Sequence, residues 1–144
     1  MPALIGLDIG TTGAKAVVVD EKGNILGSAT AEYPLLSPFP LWSEQNPSDW
    51  WVGSCKAIQT AVKSASLSGK DVIAIGLTGQ MHGAVFLDEE FEVIRPAILW
   101  NDQRTVNECD EITSRVGSEK LIGIAGNPAL TGFQAPKILW LRKN

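Results

Sequence analysis

The sequence predicts an α/β fold, with a mixed sheet that opens as a three-strand antiparallel meander and carries helices packed on it. Three observations predict this. Apolar runs over residues 3–9, 14–20 and 25–33 follow one another with only short turns between them. A stretch with helical periodicity starts at Asn46 and stops at Ser68-Gly69. Another apolar run, residues 71–77, comes next. A meander, a crossover helix and a returning strand together make a mixed sheet with helices against it.

Each element has a local reason. Ala3 to Ile9 and Ala14 to Asp20 read as strands joined by Gly10-Thr11-Thr12-Gly13, a short glycine-containing hairpin connection. Lys22-Gly23-Asn24 marks the turn into the third strand. A loop with Pro34, Pro38 and Pro40 then carries Leu41-Trp42-Ser43-Glu44-Gln45. Asn46-Pro47-Ser48-Asp49 is a helix start, with Asn at the cap, Pro in the first turn and Asp facing the dipole. Trp51, Cys55, Ile58, Val62 and Ala65 recur at alternating steps of four and three, which predicts that they form the buried face. Further on, Ala84 to Asp88 and Pro96 to Trp100 read as short strands. Helices are expected over about 103–116, with Val106, Cys109, Ile112 and Val116 inward, over 118–123, and from Gln134 onward with Pro136 in the first turn.

The 144 residues suit one domain, and 44% apolar composition is ordinary for a globular chain able to bury a core without staples. A net charge of −4 with no basic stripe argues against nucleic-acid binding. No apolar run approaches the length of about 18 residues that a membrane span needs. The start of the chain lacks a signal-peptide pattern, so no membrane association and a cytoplasmic location are expected. Cys55 and Cys109 fall on apolar helix faces and read as buried thiols. Close-spaced Cys and His clusters of the zinc type are absent from the sequence.

Asp8 stands near the end of an apolar strand, where a carboxylate needs a partner or water. The Gly-Thr-Thr-Gly turn lies two residues on. Glycines admit a ligand close to the backbone, and turn amides and Thr hydroxyls donate to phosphate oxygens. An adjacent Asp can hold Mg²⁺ through water. The other reading is an ordinary hairpin beside a solvated strand end. Lys15 is either a phosphate contact or a solvated strand residue. The pattern is neither a Walker loop nor a dinucleotide fingerprint, because the turn leads into a strand.

His82, the single histidine, lies in Gln80-Met81-His82-Gly83 just past a strand. It reads as a polyol contact or as a loop histidine satisfied by backbone. Trp100-Asn101-Asp102-Gln103-Arg104 offers groups that bind sugar hydroxyls and an indole for a sugar's carbon face. Its other reading is a helix start, capped by Asn101 or Asp102, with Arg104 in solvent. Trp50 and Trp51 read as packing anchors in preference to ligand contacts; Trp42, on a loop, is open to either role.

Together these motifs resemble the FGGY carbohydrate kinases. Leu7-Asp8-Ile9-Gly10-Thr11-Thr12-Gly13-Ala14-Lys15 resembles that family's first phosphate motif. Pro40-Leu41-Trp42-Ser43-Glu44-Gln45, Gly79-Gln80-Met81-His82-Gly83, Ile98-Leu99-Trp100-Asn101-Asp102-Gln103-Arg104-Thr105 and Gln134-Ala135-Pro136-Lys137-Ile138-Leu139-Trp140 resemble its xylulokinase branch in order and spacing. The resemblance implies a ribonuclease H-like fold of the actin/hexokinase type. It implies transfer of the γ-phosphoryl of ATP, with Mg²⁺, to D-xylulose, giving xylulose 5-phosphate. It implies that Asp8 organises the metal and that Gly10, Thr11, Thr12, Gly13 and Lys15 face the phosphates. Met81 and His82 would line the sugar pocket, with Gln80, Trp100 and Asn101 nearby.

Family members are much longer and fold as two similar domains. Their catalytic base lies beyond the position of Asn144, so residues 1–144 are expected to be an incomplete N-terminal domain, inactive alone. Asp88, Asp102 and Asp110 are not promoted to that role. Such a chain is expected to expose apolar surface and to self-associate. A binding or regulatory module without turnover, a kinase for another ketose or polyol, and an ATPase outside sugar metabolism are the competing readings.

Overall fold

The computed structural model describes residues 2–144, which divide into two compact units. The first runs up to Leu35 and resumes over Asn46–Gln80; the second comprises Leu36–Gln45 and Met81–Asn144.

In the first unit, β1 (Ala3–Ile9), β2 (Gly13–Asp20) and β3 (Ile25–Glu32) form the expected meander. The turn after β2 is fixed by Asp20, whose Oδ1 accepts the amides of Lys22 and Asn24 at 2.8 and 2.9 Å. Asn24 Nδ2 donates to the other carboxylate oxygen at 2.8 Å, and this bond, followed by the backbone ones, holds the Asp20 carboxyl below its ordinary range. β4 (Glu44–Gln45) belongs to the second unit. Helix α1 (Pro47–Ser64) crosses over, and β5 (Val72–Gly79) returns parallel to β1. The sheet order is β3-β2-β1-β5, a mixed sheet as expected.

Alternation along β1 and β2 buries Ala3, Ile5, Leu7, Ala14, Ala16 and Val18 against Ala57, Ala61 and Val62 of α1. The buried face of α1 is only partly the predicted one: Val62 is buried and Ile58 and Ala65 pack against the core as expected, but the helix is rotated toward smaller residues. Gly53, Ser54, Ala57, Ala61 and Val62 face inward, while Trp51 is 73% exposed and Cys55 is half-buried. Small residues win because the helix lies close to the sheet. A Cβ added at Gly53 would sit 2.8 Å from the Tyr33 ring, so this crossing requires glycine. The larger residues flank the sheet edge instead. Ile75 and Leu77 of β5, in register with Ile5 and Leu7, share α1's face of the sheet. With Trp50, Trp51, Cys55 and Ile58 they line an open apolar groove.

In the second unit, β4 pairs antiparallel with β6 (Ala97–Ile98). The expected strand at Ala84–Asp88 is reduced to two isolated bridges, Ala84 with Ile98 and Leu87 with Val93. The reason is local. Asp88 Oδ1 accepts the amides of Glu90 and Glu92, and Phe91 adopts a φ of 64°, so the chain turns before a ladder forms. Pro96–Trp100 keeps only the two residues of β6. Helices α2 (Val106–Val116), α3 (Ser118–Ala125) and α4 (Gln134–Lys143) follow.

The inward face of α2 also differs from the periodic expectation. Cys109 is buried as predicted, but Val106 is 51% exposed and Glu108 is buried. Lys143 of α4 explains the buried carboxylate, since its Nζ lies 3.1 Å from Glu108 and 2.5 Å from Glu111. Both acceptors hold the Lys143 ammonium above its ordinary range. No helix among the described residues is long and apolar enough to cross a membrane.

Candidate functional site

The first group of site residues gathers at the end of β1. Its register sets Lys15 of β2 and Thr78 of β5 on either side of Asp8. The three side chains therefore share one sheet face, the face opposite buried Leu7. A shallow cleft there is lined by Gly6, Asp8, Lys15, Val17, Gly76 and Thr78. Gly6 and Gly76 leave its floor bare, because a Cβ at either would meet nothing closer than 4.0 Å. Among the described residues no three His, Cys, Asp or Glu side chains converge on a metal-sized site. One exposed carboxylate at an open cleft nevertheless suits Mg²⁺, which keeps several waters and takes one or two carboxylates with substrate phosphates.

The hairpin beside Asp8 is held from three sides. Gly10 N donates to Gly13 O at 3.1 Å across the turn. Thr11 Oγ1 donates to Gln80 Oε1 at 3.3 Å, and Gln80 N continues the β1 ladder to Ile9 O at 2.9 Å. Tyr33 Oη donates to Gly10 O at 2.5 Å. Burial, with the Asp8 charge second, pushes the Tyr33 phenol above its ordinary range. Sequence reasoning missed Tyr33 and Thr78. Strand register would have given Thr78; nothing local marks Tyr33. Gln80, expected at the sugar, supports the hairpin in the first unit.

The second group lies in the second unit. Met81 is 73% exposed and Trp100 49%, and His82 and Asn101 are also exposed. His82 takes a left-handed φ of 59°, uncommon for a residue with a side chain. The start of α4 grips it. The His82 imidazole meets the Phe133 ring edge to face, with centroids 4.9 Å apart, and Gln134 Nε2 donates to Gly83 O at 3.2 Å. Fully buried Lys137 donates through Nζ to His82 O at 2.5 Å and Gly132 O at 3.0 Å. Gly132 lies so close to Trp100 that an added Cβ would be 2.7 Å from Trp100 O. His82 is thus a loop histidine tied through its backbone, and its ring remains accessible.

Asp102 and Arg104 do not join the exposed set, nor do they make the alternative solvated helix start. Thr105 is the N-cap of α2. The Arg104 side chain is 1% exposed and forks onto Asp102 at 2.9 and 2.6 Å, with Nη1 2.7 Å from Glu44 Oε1. Its guanidinium carbon stacks 3.6 Å from the Trp42 ring centroid, which makes Trp42 a packing anchor. Arg95 closes the cluster by pairing with Glu44 and lying 4.7 Å from the Trp140 centroid. Asp102 Oδ2 accepts Ser43 N at 2.7 Å.

The chain is similar to curated and solved sugar kinases. It is 42% identical over 140 residues to the xylulose kinase of Escherichia coli strain K12, covering 97% of this chain and 28% of that protein. It is 38% identical over 144 residues to the xylulose kinase of Bacillus subtilis strain 168, covering all of this chain and 29% of that one. The crystal structure of xylulose kinase from Rhodospirillum rubrum superposes with a TM-score of 0.90 at 30% identity, over 99% of this chain and 29% of its own. The chain thus spans under a third of the length of the relatives it matches.

These neighbours are sugar kinases of the actin/hexokinase-type ATPase fold, and the mixed α/β sheet belongs to that class. More narrowly, the chain belongs to the FGGY family of carbohydrate kinases, whose N-terminal domain model matches residues 3–144.

Proposed function

We propose that this chain supplies the N-terminal part of an ATP-dependent kinase that phosphorylates D-xylulose to xylulose 5-phosphate. The observation that carries the reading is the Asp8, Lys15 and Thr78 cleft beside a braced glycine-threonine hairpin, in a chain with xylulose kinase relatives. In this reading Asp8 would be the carboxylate that helps hold Mg²⁺. The backbone of Gly10 and Gly13, the hydroxyls of Thr11 and Thr12, and the Lys15 ammonium receive the phosphates. When bound, ATP would supply the γ-phosphoryl group and Mg²⁺ would neutralise charge on the phosphate oxygens. Met81, His82, Trp100 and Asn101 contact the ketose, and Gln80 acts through Thr11.

A sugar hydroxyl oxygen bonds to the γ-phosphorus, the bond to the bridging oxygen breaks, and ADP leaves. The hydroxyl proton needs a base, and we assign it to no carboxylate in residues 1–144. Asp102 supports that choice: it is fully buried and occupied by Arg104 and Ser43 N. Two free thiols, Cys55 and Cys109, suit a reducing cytoplasm.

The test assays ATP-dependent phosphorylation of D-xylulose by residues 1–144 beside the product of the whole reading frame. Turnover is expected only from the longer product. Its absence there overturns the substrate assignment, and turnover by the short chain overturns the assignment of the base.

Residues 1–144 alone are also expected to sediment as dimers or larger species. β5 is a sheet-edge strand bearing Ile73, Ile75 and Leu77 at 63%, 49% and 72% exposure, a template for pairing. A monodisperse monomer at micromolar concentration would contradict this.

A further inference from the structure

We infer that Lys137 is a positioning residue for the ketose end of the proposed reaction, its buried ammonium fixing the His82 loop and the Gly132 segment in one arrangement. The inference rests on the functional reading above for its consequence, and on geometry alone for the fixing itself. Lys137 has no exposed surface, and its Nζ joins two backbone carbonyls from separate segments, His82 O and Gly132 O.

Both segments need fixing. His82 sits in the left-handed region without being glycine, a conformation that persists only when surroundings over-determine it. Gly132 packs on the Trp100 carbonyl, so the same ammonium also sets where that segment meets Trp100. Phe133, between Gly132 and Gln134, supplies the ring that meets the imidazole edge. One cation therefore links the backbone of His82 to the segment that backs Trp100, and both of those side chains are exposed.

The surroundings of Lys137 make the link titratable. Burial pushes its ammonium down to about 8; the Asp102 carboxylate opposes that shift, and the Arg104 guanidinium adds to it. The His82 imidazole is the other titratable group of the linked segments. Because the folded value lies below the ordinary 10.5, the unfolded chain binds more protons between about 8 and 10.5, and this group's contribution to stability rises with pH across that window. The opposing loss from Cys109, whose thiol burial raises above 9.0, starts higher.

The experiment uses the fact that the chain has one histidine, so ring-labelled histidine gives a single imidazole signal. In wild type that signal is expected to show an inflection near about 8, as Lys137 loses its proton. Lys137→Met is expected to shift the signal as the imidazole leaves the Phe133 ring, and Lys137→Arg to restore part of the shift. Lys70→Met, in the first unit, is the control and should leave it unchanged. In the product of the whole reading frame, Lys137→Met should raise KM for D-xylulose about tenfold, with KM for ATP unchanged.

A folded Lys137→Met chain whose histidine signal superimposes on wild type overturns the inference. So does a Lys137→Arg chain, which keeps the buried cation, whose histidine signal is displaced as far as that of Lys137→Met. A whole-frame product that ignores D-xylulose overturns the functional reading instead, and leaves the histidine signal to judge Lys137.

Discussion

Arg104→Ala is expected to destabilise the second unit by about 3–5 kcal/mol, the range for removing one member of a buried ion pair. The Arg104 side chain is 1% exposed and pairs with two carboxylates at once, Asp102 through a hydrogen-bonded fork and Glu44 through an ion pair at Nη1. Alanine would leave Asp102 buried with only the amides of Ser43 and Arg104 itself as donors. It would also empty the space beside Trp42, whose ring the guanidinium covers at 3.6 Å. Lysine keeps the charge but lacks the planar fork and the stacking face, so Arg104→Lys should recover only a minor part. Urea unfolding followed by tryptophan fluorescence reads both variants, since Trp42 and Trp140 bracket the site. A loss below about 1 kcal/mol, the scale of a surface pair, would mean the cluster is solvated in solution.

The same cluster marks the limit of what the sequence made legible. Residues 41–45 and 99–104 drew attention as motifs, and the structure shows why they occur together. Leu99 N donates to Ser43 O at 3.0 Å, Gln103 N to Leu41 O at 2.9 Å, and Asp102 and Arg104 lock onto Ser43 and Glu44. Much of the recognisable signature is scaffold: of the stretch Trp100 to Arg104, Trp100, Asn101 and Gln103 are left exposed, while Asp102 is buried and the Arg104 side chain is spent on it. Local chemistry could not separate the two roles, because an Asp-x-Arg pair has the same composition whether it faces a ligand or a glutamate sixty residues away.

The meander, the crossover helix and the Gln134 helix start were readable because strand alternation, turn residues and Pro at N1 act within a few residues. The rotation of α1 was not. Periodicity ranks residues by size and hydrophobicity, whereas the close crossing selects Gly53, Ala57 and Ala61 over Trp51. Lys137 was hidden for a similar reason. A cation among Pro136, Ile138, Leu139 and Trp140 was a signal in itself, but its two carbonyl partners come from Gly132 and from His82, far away in sequence.

Asp8→Asn in the product of the whole reading frame is expected to lower ATP-dependent phosphorylation of D-xylulose by about 10²–10³-fold, the scale for removing one preorganised electrostatic contact to a reacting centre. Asparagine matches aspartate in shape and keeps one acceptor oxygen, so the loss isolates the charge. Asp8 is exposed at the end of β1, and its removal should leave the melting temperature within the small range of surface substitutions. In residues 1–144, which hold a single tyrosine, the same substitution has a readout independent of turnover. The Asp8 carboxylate adds to the upward shift of the Tyr33 phenol, because a nearby negative charge disfavours tyrosinate. Neutral asparagine should therefore move the tyrosine titration down toward its ordinary value of 10.0, the burial contribution remaining. Saturating Mg²⁺ should shift the wild-type tyrosine in the same direction by neutralising Asp8, and should leave the variant unmoved. A variant with wild-type turnover but the expected tyrosine shift would place the metal elsewhere. Lost turnover with no tyrosine shift would mean that Asp8 acts through the geometry of the hairpin and not through its charge.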